Sequence, residues 1–179
     1  MTNRFTRQRR DAGFTLIELL IVIGIIGLVC AITIPALLRA KITGNETAVL
    51  GSMRAVNSAQ AAYAGAAANG SYAPNFSVLV RSCPGSTHGF ISPDLAGDPA
   101  MKSGYSVVLA AGTLGAGQSD CNGQASSLGY YLTAVPLTVG LTGHRAFAST
   151  SPGVIYFDPN GVAPAETEMR PGGSALPIQ

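Results

Sequence analysis

Gly13 to Pro35, GFTLIELLIVIGIIGLVCAITIP, is the stretch whose reading decides the fold. From Phe14 to Ile34 it runs 21 residues with one formal charge, Glu18. At ~1.5 Å per residue, a helix of that length just crosses the ~30 Å hydrocarbon core of a bilayer. The stretch is therefore expected to be a membrane span. An ionisable group inside such a span costs roughly 2.5 kcal/mol or more near its centre and less near an end, so Glu18 calls for a partner.

Before the span, Arg4, Arg7, Arg9 and Arg10 are opposed only by Asp11. That is the basic flank expected on the cytoplasmic side, which puts everything after Pro35 outside the cytoplasm. A secretory signal peptide has the same order of charge and apolar core, but its core is usually only roughly 7 to 15 residues and ends in a small-x-small site. This run is longer, carries a glutamate and ends in Ile34-Pro35 before Ala36.

Beyond the span the helical period continues. Ile42, Val49, Met53, Val56 and Tyr63 recur at spacings of seven, four, three and seven, one face of a helix. Polar residues such as Thr43, Asn45, Thr47, Arg54 and Asn57 fill the intervening positions, so near Lys41 an all-round apolar helix becomes a striped one. Pro35 lacks the N–H for a bond to the carbonyl four residues back, and a kink is expected there. The helix should end in the alanines before Asn69-Gly70.

The organisation read from these signals is a leader over 1–13, an apolar helix half over 14–35 and an amphipathic half over 36–68. A connecting loop follows over 69–103, with a short helical turn at Phe76 to Arg81. Four strand-like runs lie within 104–163: Tyr105–Ala110, Gly129–Val135, Ala146–Ser149 and Val154–Asp158. They are rich in Val, Tyr, Phe and Thr and separated by Gly-containing segments, which suggests an antiparallel meander. In the first run either face could be the inner one. The last stretch, 164–179, with its Gly and Pro, reads as a loosely ordered tail. The fold class is thus α+β, a ladle whose striped helix half covers a four-stranded antiparallel sheet.

Of three cysteines, Cys30 lies in the span, leaving Cys83 and Cys121 among loop-forming residues of the exported part. They are expected to form a disulfide. A net charge of +2 gives no reason to expect nucleic-acid binding. His88 and His144 lie far apart with no CxxC pair, so no zinc site is expected. No catalytic triad, paired carboxylates or phosphate-cradling glycine loop stands out, and no cofactor is implied. Asp94, Asp98, Asp120 and Asp158 are best explained as turn residues.

Gly13 followed by Phe14-Thr15-Leu16-Ile17-Glu18, behind a basic leader, resembles the type IV prepilins and pseudopilins. The resemblance is tight over residues 9–35 and looser to about residue 66. It implies cleavage by a prepilin peptidase between Gly13 and Phe14, N-methylation of Phe14 by the same enzyme, and a role for Glu18 in filament assembly, paired with the free amine of a neighbouring Phe14. Implied partners are further copies in a helical filament, an inner-membrane platform with a motor ATPase, and membrane lipid. The expected function is a structural, non-enzymatic subunit of a type IV pilus, moving from inner membrane to filament. A type II secretion pseudopilin is the alternative within the family, and a single-pass membrane-anchored binding module the alternative outside it. Some secretion pseudopilins bind calcium in sheet-end loops, which leaves such a site open here, although the spacing matches no EF-hand.

Overall fold

The computed structural model describes residues 13–169 and 173–178. The leader residues 1–12, with their arginines, lie outside the described residues, as do 170–172 and 179 of the final stretch. Helix α1 (Leu16–Ala66) spans 51 residues, and the chain divides between Leu38 and Arg39 into two compact units.

In the first unit every described side chain, from Gly13 to Leu38, is exposed. A helix that is apolar all round has the pattern suited to lipid or to packing against other chains. The second unit begins with Arg39, and the first buried residue is Ile42. From there the stripe takes over: Val49, Met53, Val56 and Tyr63 are all buried. α1 ends where Asn69 and Gly70 adopt positive φ (48° and 89°) and the Gly70 N–H donates back to the Ala64 carbonyl at 2.8 Å. Helix α2 (Phe76–Leu79) follows, capped by Asn75, whose Oδ1 accepts the Val78 N–H at 3.0 Å.

Among the described residues the sheet has six strands, two more than the sequence suggests: β1 (Ala100–Lys102), β2 (Tyr105–Ala111), β3 (Tyr130–Pro136), β4 (Ala146–Thr150), β5 (Ile155–Asp158) and β6 (Leu176–Pro177). They pair antiparallel in chain order, a meander. Both additional strands are short edges, β1 within the stretch read as connecting loop and β6 within the stretch read as tail. β1 and β2 are joined by Ser103-Gly104, both at positive φ (52° and 75°), the backbone of a tight hairpin turn.

Register settles which face of β2 is inner. Tyr105, Val107 and Leu109 are buried and lie opposite Pro136, Ala134 and Leu132. With Tyr130 and Phe147 they form one core with the α1 stripe, Phe76 and Leu79. Each large apolar side chain fully buried there contributes about 1.5 to 3 kcal/mol. The other face of β4 is covered too: a 3-10 turn, Glu166–Met169, packs on it with Met169 buried, and the Tyr131 hydroxyl donates to the Pro164 carbonyl at 2.8 Å.

Candidate functional site

The amino-terminal motif forms a reciprocal cap. Thr15 stands just before α1, and its Oγ1 accepts the Glu18 N–H at 3.2 Å. Glu18 Oε2 accepts the Thr15 N–H at 2.9 Å and the Thr15 hydroxyl at 2.7 Å. This is a capping box, which satisfies donors that a helix start leaves open. Both Thr15 bonds fall on Oε2, leaving Oε1 for another donor. Sequence reasoning treated Glu18 only as a group in search of a partner and missed Thr15, although Thr-x-x-Glu ahead of an apolar run is the signal for such a cap.

Around this cap the backbone is accessible. Phe14 is 85% exposed, and a Cβ added to Gly13 would meet nothing within 4 Å. Pro35 lies inside α1, and Cys30 is a free, exposed thiol.

Cys83 and Cys121 are bonded, with their Cα atoms 5.6 Å apart. They lie in the second unit, whereas Gly13, Phe14, Glu18 and Pro35 lie in the first. The bond ties the loop after α2 to the loop between β2 and β3, where the Asn122 side chain also donates to the Ser82 carbonyl at 3.1 Å. Asp120 organises that second loop: its Oδ1 accepts the N–H groups of Asn122 and Gln124, and Oδ2 accepts the Tyr63 hydroxyl at 3.0 Å. Burial, and then the Asp120 carboxylate, push the Tyr63 phenol up. Asp158 likewise accepts the Asn160 N–H within its own turn. Among the described residues no group of three or more His, Cys, Asp or Glu could hold a metal ion.

Polar residues of the helix stripe join α1 to the rest of the second unit. Glu46 is 6% exposed; Oε1 accepts the N–H groups of His144 (2.9 Å) and Arg145 (3.1 Å), and Oε2 accepts Nε and Nη2 of Arg145 at 2.9 and 2.7 Å. The Arg145 guanidinium lies over the rings of Phe147 and Phe157. Asn57 bridges Ser149, the Gly153 carbonyl and the Tyr130 hydroxyl, and Gln60 makes two bonds to the backbone of Ala73. Glu46 falls four residues after Ile42 and three before Val49, so its place on the buried face was readable in the sequence. Its partners were not.

Burial raises the Glu46 pKa, but the His144 N–H and the bonds from Arg145 outweigh it and hold the carboxyl below its ordinary 4.5. A depressed folded-state pKa contributes stability above the unfolded value that is lost as pH falls through the folded one. Glu46→Ala should cost about 2 kcal/mol at neutral pH, since buried N–H groups lose their acceptor. Glu46→Gln should flatten the fall in stability below pH ~4.5, as read by thermal unfolding of the detergent-solubilised chain at several pH values. A parallel pH profile for wild type and Glu46→Gln would contradict this assignment.

Two comparisons with known proteins bear on the chain. The family model described as the prokaryotic N-terminal methylation motif matches residues 8–34. The type IV wide pilus major component PilA4 of Thermus thermophilus is 36% identical over 103 residues, covering 55% of this chain and 77% of that protein. No solved structure matches.

Proposed function

This chain belongs to the type IV pilin family, and from that premise we propose that it is a structural subunit of a type IV pilus filament. The precursor inserts in the inner membrane with its basic leader in the cytoplasm. A prepilin peptidase cuts between Gly13 and Phe14 and methylates the new Phe14 amine. A platform with a motor ATPase then moves the subunit from lipid into the filament, where Pro35 lets the helix bend to fit its neighbours.

One observation carries this reading: a helix exposed and apolar on every side from Leu19 to Leu38 opens with a carboxylate, Glu18, that keeps one oxygen free. Such a surface is stable only in lipid or against other chains, and both are stages of the proposed path. In the filament, Glu18 Oε1 receives the Phe14 amine of the adjoining copy. The likeness to a pilus major component favours a pilus over a secretion pseudopilus.

Shearing tests the reading. Cells producing this chain should release it, shortened by the leader, in the sheared fraction. Gly13→Arg should leave a longer membrane-bound precursor, because the bulky side chain blocks the close backbone approach that glycine permits, and should yield no filaments. A chain that stays wholly with the cells would favour the pseudopilus, and normal filaments from Gly13→Arg would exclude processing at this site.

A further inference from the structure

We propose that the loop between β3 and β4, residues 137–145, is a bilayer-docking surface that rests on anionic lipid while the apolar helix is inserted; this presupposes the membrane stage of the reading above. Leu137, Val139 and Leu141 project from this loop at 54%, 55% and 58% exposure, and Val162 adds 67%. The Val139 side chain lies against Gly161, where an added Cβ would come within 2.6 Å of it, which brings Val162 alongside. Apolar side chains grouped in this way on a soluble head mark a surface made for contact.

The loop is built to hold them out. The Leu137 N–H donates to the Gly104 carbonyl, the Thr142 N–H to the Thr138 carbonyl, and the Gly140 N–H to the Gly143 carbonyl, at 2.8–3.0 Å. It is then fixed to α1: Asn45 donates to the Thr142 carbonyl at 2.9 Å, and Glu46 takes the His144 and Arg145 N–H groups. Asn45 and Glu46 are only seven and eight residues after Leu38, the last residue of the exposed apolar stretch. The loop is thus anchored to the part of α1 that opens the second unit, a few residues along the chain from the apolar stretch.

Charge favours lipid over a second protein copy as the occupant. Arg39 and Lys41 are exposed and have no ion-pair partner among the described residues, while Glu46 is already paired with Arg145. Asp158, at the end of β5 opposite Ala146, is a further carboxylate close to the loop; the Asn160 N–H it accepts leaves its charge in place, so Arg39 and Lys41 outnumber it two to one. Exposed apolar side chains in a unit whose first residues include two unpaired cations suit a surface of acyl chains under anionic headgroups.

The chain contains no tryptophan, so an introduced one is a sole reporter. The full chain would be placed in nanodiscs of phosphatidylethanolamine and phosphatidylglycerol containing brominated lipid, with Leu141→Trp, Leu114→Trp and Ile25→Trp compared. Leu114 is also exposed but follows the opposite end of β2, and Ile25 reports the span itself. The expected result is deep quenching of Ile25→Trp, and shallow-bromine quenching of Leu141→Trp at least threefold above that of Leu114→Trp, reduced when phosphatidylglycerol is replaced by phosphatidylcholine. Equal quenching at 141 and 114 with Ile25→Trp still quenched overturns the docking surface and leaves the pilin reading intact. The docking surface is equally overturned if Leu141→Trp responds only when two chains share a disc, or ignores the headgroup charge. An unquenched Ile25→Trp overturns the span, and the docking surface with it.

Discussion

Glu18→Ala is expected to leave the chain inserted and cut after Gly13, yet to lower the yield of sheared filaments by about 100-fold or more. Removing a charge makes the span more apolar, so insertion should not suffer. In the filament, however, the Phe14 amine of the adjoining copy would be buried without a counter-charge. Breaking a buried pair costs about 3 to 5 kcal/mol, and each 1.4 kcal/mol is tenfold. The cap between Thr15 and Glu18 offers a competing account, in which the alanine variant fails only because its helix start frays. Glu18→Gln separates the two. Glutamine can complete the same box with Thr15, but brings no charge to the incoming amine. If pairing governs assembly, the glutamine variant should fail nearly as badly as alanine; if capping governs, it should assemble. Filament yield is scored beside the size of the membrane-bound chain, so that a processing defect is not mistaken for an assembly defect.

Loss of the Cys83–Cys121 bond should produce the largest fall in stability of the second unit. The two cysteines are 38 residues apart, and in the chain-entropy model closing a loop of that size is worth about 4 kcal/mol. For a domain of this size that corresponds to a fall in melting temperature on the order of 10 °C. The local consequences follow from what the bond holds together. Phe90, in the loop the bond restrains, packs edge-on to Tyr63 at 5.3 Å, and Tyr63 bonds to Asp120, next to Cys121. Cys83→Ser, Cys121→Ser and the double variant should melt alike, because each removes the same crosslink, and reduced wild type should join them. Unchanged melting on reduction, or additive losses in the double variant, would show that the loops are held without the bond.

The parts of the fold that were legible in the sequence are those where a long periodic signal meets a single physical demand. The change from apolar to striped near Lys41 coincides with the first buried side chain, Ile42, because a helix face is buried only where something covers it. The four longer strands were visible through their Val, Tyr and Phe content, and the disulfide through compartment and loop context. β1 and β6 were not, for they hold three and two residues, too few to show alternation, and β6 contains Pro177. Ser103-Gly104 was a usable hairpin signal for β1, although a hairpin with so short an arm is hard to tell from a loop turn. Met169 could not be assigned to cover β4, because one apolar residue between charged and Gly-Pro neighbours carries no period. At the amino-terminal motif the reverse occurred. The apolar run made Glu18 stand out as a charge, and Thr15 was passed over because its role is local rather than periodic.

The intact mass of the chain in purified sheared filaments decides whether it is processed and then assembled as a filament subunit. The expected mass is that of a polypeptide that begins at Phe14, heavier by one methyl group at its amino terminus, with one crosslink and one alkylatable thiol, that of Cys30. Filaments built from a chain that retains residues 1–13, or one that begins at an unmodified residue elsewhere, would contradict it.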